Sequence, residues 1–205
     1  MESIDTSEQD RLDMERLAGG HDSALNALME RHAGPVYQFL FRMLNDEQEA
    51  NDLAQETFVR VYRYRERYDG GKFTTWLYTI ASNLARSEYR RRQRHPNVSL
   101  EAEISEQGNT LAEMVQSTQA TPTEEAEHGE RLRAVRQAVD GLPSELREAV
   151  ILCEWEELSI AEAATVLNTS KRAVESRLYR ARQRLRGQLT KEFPERKVQV
   201  VSPSP

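Results

Sequence analysis

Residues 158–189 hold two helical patterns separated by a three-residue turn, and this stretch restricts the possible folds more than any other. Ser159 and Glu162 form the S-x-x-E pattern of a capping box, which predicts that a helix begins directly after Ser159. The residues Asn-Thr-Ser at 168–170 are typical of a turn whose last two positions could cap a second helix from about Lys171. The stretch therefore predicts a short helix, a tight turn and a longer second helix.

The second helix is predicted to be apolar on one side and basic on the other. Its apolar residues recur every three or four positions, at Val174, Leu178, Ala181, Leu185 and Leu189. The opposite face would carry Arg172, Ser176, Tyr179, Arg180 and Gln183. Positions 171–186 hold seven cations against one anion, Glu175, although the whole chain has a net charge of −6. This asymmetry favours a helix-turn-helix that enters a DNA major groove over an amphipathic surface helix with a solvated charged face.

The composition favours an all-α chain without catalytic chemistry. Charged residues make up 30% of the 205 residues, and glycine and proline are sparse. The only cysteine, Cys153, lies in an apolar run and is expected to be packed rather than nucleophilic. The four histidines lack metal-ligand spacing, and no catalytic triad or phosphate-binding glycine loop is recognisable. We therefore expect no catalytic residues, no metal and no cofactor.

The chain lacks an apolar run of membrane-spanning length and a signal-peptide core. We therefore expect a soluble cytoplasmic protein without membrane insertion. Residues 1–10 are expected to be a flexible end, and a brief helix is predicted at 11–18. Asp22 is expected to cap a long helix, and Gly34-Pro35 predicts a kink or a break within it.

The helix predicted after Asp46 combines an apolar stripe with a polar flank. Its inward stripe would consist of Ala50, Leu53, Ala54, Phe58 and Val61. Asp52, Gln55 and Glu56 fall mainly outside that stripe. Periodicity leaves two interpretations of these three residues open, a solvated helix face and a docking surface for another protein.

A loop at 69–71 precedes a helix that is aromatic at its start and basic at its end. Thr74 or Thr75 is expected to cap this helix, which would run into an arginine-rich end at 86–94. The residues expected to face the core are Trp76, Leu77, Ile80 and Leu84. Aromatic and amide side chains beside arginines fit single-stranded nucleic acid, because cations hold phosphates while aromatic faces take bases. A helix with an aromatic core face and a basic end fits the same pattern equally well.

An acidic segment divides the chain into two predicted domains. Residues 96–130 hold eight glutamates and no Lys, Arg or aromatic residue, so this segment cannot bury enough apolar surface to fold alone. The predicted organisation is a first domain at 11–94, a flexible acidic linker at 95–130, a second domain at 131–189 and a disordered tail at 190–205. The second domain is expected to start with an apolar stripe of Leu132, Val135 and Val139, and Pro143 would lie in the first turn of its next helix.

Three motifs make the chain resemble the bacterial sigma factors of the extracytoplasmic-function (ECF) group, within the sigma-70 superfamily. They are DLAQETF at 52–58, FTTWLYTIASN at 73–83, and LP at 142–143 followed by the helix-turn-helix. The motifs occur in the family's order and are separated by the acidic linker. The resemblance implies two small helical domains, sigma region 2 and sigma region 4. It also implies a subunit that directs RNA polymerase core to specific promoters and begins −10 melting by base capture.

The resemblance further implies which residues make contacts. Asp52, Gln55 and Glu56 would dock on the clamp coiled coil of RNA polymerase. The −10 element would be held by Asp69, Gly70, Gly71, Lys72, Phe73, Asn83, Arg86, Arg90 and Arg91. The −35 element would be held by Lys171, Arg172, Ser176, Arg177, Tyr179 and Arg180. The implied partners are the polymerase core, through its clamp coiled coil and flap, promoter DNA and an anti-sigma factor.

Two residues depart from the family pattern. Glu175 stands where some members carry a base-reading cation, and a carboxylate there would accept from a cytosine amine or repel phosphate. Ser87 stands where many members carry an acidic residue. The promoter sequence is therefore not carried over from the family.

Two other hypotheses make different predictions. An ordinary helix-turn-helix regulator would bind duplex DNA without polymerase and would tolerate Asp52→Ala or Gln55→Ala. An enzyme acting on nucleic acid would need clustered carboxylates or histidines for a metal, and the sequence offers none.

Overall fold

The structure is a computed structural model that describes residues 5–94 and 122–192. Within those ranges the chain forms helices and no strand, which confirms the all-α prediction. The helices are α1 (Thr6–Ala18), α2 (Ser23–Leu44), α3 (Glu47–Arg63), α4 (Phe73–Arg94), α5 (Pro122–Asp140), α6 (Ser144–Val150), α7 (Ile160–Val166) and α8 (Lys171–Glu192). None of these helices is long and apolar enough to cross a bilayer. Most of the predicted linker, at 95–121, and most of the predicted tail, at 193–205, lie outside the described residues.

Helix α1 begins at Thr6 and not near residue 11, so the predicted flexible end is shorter than expected. Asp5 caps the helix by accepting a hydrogen bond from the backbone of its first turn at 3.3 Å. Two buried carboxylates then hold α1 against α2. Arg31 donates from Nε to Asp10 at 2.9 Å and from Nη2 to Asp13 at 2.7 Å. These ion pairs stabilise a helix whose start the apolar pattern alone did not indicate.

Helix α2 runs through Gly34 and Pro35 without interruption, so of the predicted kink or break the break is wrong. Pro35 has no N–H to donate to the carbonyl of Arg31, and both Gly34 and Pro35 lie on the exposed side of the helix. Val36 and Phe39 beyond them are fully buried. Their burial holds the second half of the helix on the core.

Helix α3 is capped and oriented as predicted. The Asp46 carboxylate accepts from the N–H of Glu49 at 3.0 Å. Of the predicted inward stripe, Ala50, Ala54, Phe58 and Val61 are buried, whereas Leu53 is half-buried. Asp22, which was expected to cap α2, makes no capping hydrogen bond, and its carboxylate instead accepts from the Tyr62 hydroxyl of α3 at 3.2 Å.

Helix α4 begins at Phe73, which shifts its inward face from the predicted one. The Lys72 carbonyl accepts the first helical hydrogen bonds, and neither Thr74 nor Thr75 lies at the cap. The buried apolar residues are Phe73, Leu77, Tyr78, Ala81, Leu84 and Ala85, whereas Trp76 and Ile80 are half-buried. Apolar residues occur in both registers, and packing against α2 and α3 selects between them.

The second domain starts earlier than predicted. Helix α5 begins at Pro122, so residues 122–130 of the predicted linker are helical. Its buried residues are Ala134, Ala138 and Val139, while Leu132 is 47% exposed, which corrects the predicted stripe. Pro143 immediately precedes α6 instead of lying in its first turn.

Candidate nucleic-acid interface

The predicted helix-turn-helix is formed by α7, a turn and α8. The Ser159 hydroxyl accepts from the N–H of Glu162 at 3.3 Å, and the Glu162 carboxylate accepts from the N–H of Ser159 at 2.8 Å, which completes the predicted capping box. In the turn Asn168 has a φ of 47°, a left-handed conformation that asparagine adopts more readily than most residues. The Ser170 hydroxyl accepts from the N–H of Ala173 at 3.2 Å. These local contacts fix where α8 begins and therefore which of its side chains face outward.

The outward face of α8 is polar and exposed. Its exposed residues are Lys171, Arg172, Glu175, Ser176, Tyr179, Arg180 and Gln183. Val174, Leu178 and Ala181 on the other side are buried, as predicted. Tyr179 is 65% exposed, so a large aromatic side chain projects into solvent beside Arg180. This combination of cations, a hydroxyl and an aromatic ring can contact both phosphates and base edges.

Arg177 belongs to the flank of α8 rather than to this outward face. It is half-buried, and its Nη2 lies 3.5 Å from Glu145 Oε2 of the neighbouring helix α6. Its predicted place among the −35 contacts stays a prediction, and a phosphate would have to compete with Glu145 for its guanidinium. Glu175 behaves differently, since no hydrogen bond or ion pair within the described residues holds its carboxylate.

The polar flank of α3 lies at the surface of the first domain. Asp52 and Gln55 are exposed, and Glu56 is half-buried and accepts from Arg60 Nε at 2.7 Å. Val59, 45% exposed, and Tyr62, 36% exposed, extend the same side of the helix. Sequence reasoning missed these two residues, although their spacing from Gln55, of four and seven positions, places them on its face. An exposed mixed surface of this kind is suited to binding another protein.

The loop before α4 is shaped by hydrogen bonds within it. The Tyr68 hydroxyl donates to the Gly71 carbonyl, and the Asp69 carboxylate accepts from the N–H of Gly71 at 3.1 Å. Gly70 has a φ of 81°, which side chains other than glycine rarely permit. Burial raises the pKa of Tyr68, and the charge of Asp69 raises it further, so the phenol keeps the proton that it donates. Because Asp69, Gly70 and Gly71 are all exposed, the loop presents a fixed backbone to solvent.

Phe73 supports this loop from inside and cannot stack on a nucleic-acid base. It is only 1% exposed. Its ring centroid lies 5.2 Å from that of His32, 6.4 Å from that of Tyr68 and 6.3 Å from that of Trp76. The predicted direct contact between Phe73 and the −10 strand is therefore corrected. Tyr68 and Trp76, which are half-buried, form the accessible side of the aromatic cluster.

The arginines near the end of α4 differ in how strongly they are engaged. Asn83 and Arg90 are exposed. Arg91 donates from Nε to Glu88 at 2.6 Å and lies 3.5 Å from Glu49. Although burial acts to raise it, the pKa of Glu88 is lowered by the hydrogen bonds from Arg91 and the adjacent arginine, so this carboxylate is charged at neutral pH. A phosphate would therefore have to compete with carboxylates for Arg91.

Lys72 and Arg86, both predicted −10 contacts, pair with carboxylates of the second domain. Lys72 Nζ lies 2.8 Å from Glu162 Oε1 of α7. Arg86 Nε lies 3.0 Å from both carboxylate oxygens of Glu148 on α6, and Arg86 Nη2 donates to the Val166 carbonyl at 3.4 Å. Glu148 is only 4% exposed, whereas Arg86 keeps 27% of its side chain exposed. Both cations are thus held by the protein itself.

A third carboxylate of the second domain completes the same interface. Glu156 accepts from the Tyr78 hydroxyl and lies 3.2 Å from Arg42 Nη1. Burial raises the pKa of Glu156, and this effect outweighs the hydrogen bond from Tyr78 and the charge of Arg42. Sequence reasoning missed all three carboxylates in this role, because partners that lie 62 to 114 positions apart leave no local pattern.

The described residues contain no group of three or more His, Cys, Asp or Glu side chains arranged to hold a metal ion. Cys153 is half-buried, as expected for a packed thiol.

Two family models match the chain. The model of sigma-70 region 2 matches residues 28–95, and the model of sigma-70 region 4 matches residues 132–185. The first match contains α3, the loop and α4, and the second contains the helix-turn-helix.

Known proteins similar to the chain cover both regions. It is 38% identical over 169 residues to the ECF RNA polymerase sigma factor SigE of Mycolicibacterium smegmatis, and the alignment covers 82% of this chain and 62% of that protein. It is 35% identical over 183 residues to the RNA polymerase sigma-H factor of Pseudomonas aeruginosa, covering 87% of this chain and 92% of that protein. The solved structure of CnrH in complex with the cytosolic domain of CnrY matches with 26% identity and a TM-score of 0.64, covering 90% of this chain and 99% of that one. The similarity therefore extends well beyond the helix-turn-helix.

Proposed function

The chain belongs to the ECF sigma factors of the sigma-70 family, whose members direct RNA polymerase to promoters, and from that premise we propose how its two domains divide the work. In this proposal the α3 flank docks on the polymerase core, the loop before α4 captures a −10 base, and α8 reads the −35 element. The chain supplies promoter specificity, whereas the polymerase carries out the chemistry.

The exposed face of α8 is the observation that carries the proposal. Arg172, Ser176, Tyr179 and Arg180 project from one side of a helix whose other side is buried. A helix-turn-helix places such a face in the major groove, where arginines bond guanine edges or phosphates. Truncation of one base-reading arginine is expected to lower discrimination by about 1–3 kcal/mol.

Capture of a −10 base is supported by the loop and by α4. The loop presents an exposed, internally hydrogen-bonded backbone at 69–71, and Asn83 offers an amide that can bond a base edge. Tyr68 and Trp76 offer accessible aromatic surface, with Phe73 packed beneath them. Extruding a base costs a few kcal/mol, which such a pocket together with strand-holding arginines would offset.

The docking surface would make two weak DNA contacts sufficient. Asp52, Gln55 and Glu56, together with Val59, would bind the clamp coiled coil, and the second domain would contact the flap. Once both domains are held on the polymerase, the second DNA contact becomes intramolecular and benefits from a high effective concentration. Neither domain then needs to bind its DNA element tightly alone.

An anti-sigma factor is proposed as a further partner. The similar protein CnrH was solved in complex with the cytosolic domain of CnrY. By analogy, a regulatory protein would cover the polymerase-facing surfaces of this chain until a signal arrives. We place these events in the cytoplasm, where RNA polymerase acts.

Run-off transcription with sigma-free polymerase core tests the proposed function. The purified chain is added to the core with a library of genomic promoter fragments, and the transcripts are sequenced. Transcripts that start at a shared promoter motif are expected. No transcript from any fragment would contradict the proposal, and stable binding to duplex sites with no effect on polymerase would point to an ordinary helix-turn-helix regulator.

Paired variants separate the proposed contacts. Asp52→Ala combined with Gln55→Ala should weaken binding to the polymerase core, whereas Glu30→Ala, an exposed change on α2, should not. Arg172→Ala combined with Arg180→Ala should reduce −35-dependent initiation roughly tenfold or more, while Arg184→Ala, an exposed change outside the outward face of α8, serves as the control. Loss of activity in the control variants to the same degree would indicate a general folding defect.

A further inference from the structure

His32 on α2 is a buried side chain with a polar partner on one side and an aromatic partner on the other. Its side chain is only 10% exposed. Its Nε2 lies 2.8 Å from Oδ2 of Asp10 on α1, and its ring centroid lies 5.2 Å from that of Phe73, the first residue of α4. The imidazole therefore joins three helices, two of which precede the loop at 69–71 and one of which follows it.

The polar partner of His32 is itself held in place on α1. Asp10 is only 1% exposed, and both of its carboxylate oxygens are engaged. Oδ1 accepts from Arg31 Nε at 2.9 Å, while Oδ2 faces the imidazole. Arg31 is fixed in turn, because its Nη2 donates to Asp13, a second buried carboxylate, at 2.7 Å. A carboxylate bound at both oxygens has a defined orientation, so α1 gives the imidazole one position.

The aromatic side of His32 supports both ends of the loop. Phe73 follows the loop and Tyr68 precedes it, and their ring centroids lie 6.4 Å apart at an interplanar angle of 75°. The Tyr68 hydroxyl donates to the Gly71 carbonyl, so the ring that packs on Phe73 also fixes the loop backbone. Burial raises the pKa of Tyr68, and nearby carboxylates, Asp10 among them, raise it further. Asp10 on α1 is thus close enough to the loop to act on Tyr68 through its charge.

Histidine meets two requirements at this position that other side chains meet singly. An apolar side chain would leave Asp10 Oδ2 buried without a donor, which costs more than the hydrogen bond itself contributes. An amide side chain could donate to Asp10 but would remove the flat ring that packs on Phe73. The imidazole supplies the N–H and the ring together.

We propose that His32 is a positioning residue for −10 base capture, which holds the loop at 69–71 in one shape by linking α1 to the aromatic rings at both ends of the loop. Because its side chain is buried, His32 acts through the loop and does not touch the strand. The model of sigma-70 region 2 begins its match at residue 28, so α1 lies outside the matched residues although it belongs to this support. The consequence for base capture rests on the proposed function, whereas the support of the loop does not.

Two variants each remove one side of the link. His32→Phe keeps a ring against Phe73 but offers Asp10 no donor, whereas His32→Gln keeps a donor and loses the ring. The control is Phe39→Leu, because Phe39 is fully buried on the same helix, seven positions or about 10 Å further along, and packs against Tyr78 at 5.3 Å. All three changes disturb the core, so thermal unfolding followed by circular dichroism measures how much each one lowers the stability.

The first measurement is the mobility of the loop in the chain alone, without DNA or polymerase. Selective isotope labelling of glycine reports Gly70 and Gly71 in the loop together with Gly34 and Gly187 inside helices. In the wild type and the control, the NMR order parameters of the loop glycines should match those of the helical glycines, at about 0.85. In both His32 variants the loop glycines should fall below about 0.6, while the helical glycines stay ordered.

The order parameters can overturn the proposal directly. The link needs both sides of the imidazole, so loop glycines that stay as ordered as the helical glycines in either His32 variant would contradict it. Lower stability with an unchanged loop would leave His32 as an ordinary core residue. If His32→Phe does not fold, His32→Gln decides alone.

The second measurement connects the loop to base capture in the reconstituted holoenzyme. Each variant is assayed on duplex promoter fragments and on the same fragments with a mismatched, already open −10 element. If the loop of a His32 variant holds the capturing shape one time in ten, initiation on the duplex falls about tenfold. Initiation on the open fragments should be nearly normal, because no base has to be unstacked there. Equal losses on both kinds of fragment would overturn the role in base capture.

Failure of this inference and failure of the proposed function give different results. If the wild type yields no transcript, the proposed function fails, but the order parameters still decide whether His32 holds the loop. If the wild type initiates and the His32 variants match the control on duplex fragments, the proposed function stands and the positioning role is wrong.

Discussion

Glu175 introduces a negative charge into a helix face whose other charged residues are cations. It is exposed on α8, and within the described residues no ion pair joins it to Lys171 or Arg172, one turn before it. A carboxylate near the groove repels phosphates but can accept a hydrogen bond from the amine of cytosine. The residue should therefore reduce general affinity for DNA while favouring cytosine at one position of the −35 element.

Glu175→Gln tests both effects at once. We expect higher affinity for DNA of random sequence, because a repulsive charge is lost. We also expect the preference for cytosine at one −35 position to relax by about 1–3 kcal/mol, the usual range for one base pair. Selection of promoters with a randomised −35 element by the reconstituted holoenzyme measures the preference, and an identical selected motif for both proteins would contradict this assignment.

The Cys153 thiol is expected to be unreactive in the folded chain. Burial raises its pKa to about 11, with a further contribution from the charge of Glu154 that outweighs the opposing effect of Arg182. At pH 8 roughly one thiol in a thousand would be ionised, and the thiolate is the reactive form. Iodoacetamide should therefore alkylate Cys153 much more slowly in the native chain than in urea, and equal rates would contradict the described burial.

At the level of single helices, Gly187 weakens α8 without serving the packing. It lies inside the helix, and a Cβ atom added there would meet no neighbouring atom within 4 Å. Gly187→Ala should therefore raise the free energy of unfolding by about 0.5–1 kcal/mol, because alanine loses less backbone entropy on folding. Urea unfolding followed by circular dichroism measures the change.

Gly34→Ala is the matched comparison, since Gly34 is also an exposed glycine inside a helix. Gly34 immediately precedes Pro35, and a Cβ before proline clashes with the ring when the backbone is helical. This variant should therefore gain less stability than Gly187→Ala, or lose some. An equal gain in both variants would show that the proline does not constrain its neighbour in α2.

The helices were predictable from the sequence wherever a local signal sets them. Asp46 and the Ser159–Glu162 capping box marked their helix starts correctly, because a cap involves residues only two or three positions apart. The start of α4 was predicted wrongly, since its threonines resemble caps while the carbonyl of Lys72 accepts the first helical hydrogen bonds. The polar side chains that hold α1 on α2 join residues 18 to 22 positions apart and had no such signal.

For the whole molecule, the uneven distribution of charge was predictable but its consequence was not. The sequence indicated a basic α8 and two domains, and it also marked Lys72 and Arg86 as candidate strand contacts. It did not indicate that carboxylates of the second domain would meet those cations, because this pairing depends on how α4 packs against α6 and α7. The candidate cations could therefore be named from the sequence, whereas the burial of Phe73 and the pairing of Lys72 and Arg86 with the second domain could not.

Glu156 should make the packing of the second domain against the first depend on pH. Its pKa is raised above the usual 4.5 because its burial between the domains outweighs the Tyr78 hydrogen bond and the charge of Arg42. A carboxyl group with a raised pKa binds its proton more tightly when the two domains are packed together than when they are apart. Its contribution to the stability of the packing between the domains is therefore fully present below the usual pKa and is lost as the pH rises through the raised pKa.

Glu162 has the opposite sign. Burial acts to raise its pKa, but hydrogen bonds from Lys72 and Ser159 together lower it. Its contribution is present above the usual pKa and is lost as the pH falls through the lowered pKa. The packing between the two domains should therefore be most stable just above the usual carboxyl pKa. At higher pH it weakens because Glu156 ionises, and at lower pH it weakens because Glu162 is protonated.

Energy transfer between dyes on cysteines introduced at Asn26 and Gln188, one exposed position in each domain, tests this expectation in a Cys153→Ser background from about pH 5 to about pH 8. The two domains of the wild-type chain should separate gradually as the pH rises, because ionised Glu156 is poorly solvated at the interface between them. Glu156→Gln keeps a neutral side chain at every pH. The two domains of this variant should therefore stay packed together across the range, and energy transfer should no longer depend on pH. Glu162→Gln should keep the dependence, since Glu156 still titrates in it. If energy transfer in Glu156→Gln still depends on pH, the titrating group is another residue and not Glu156.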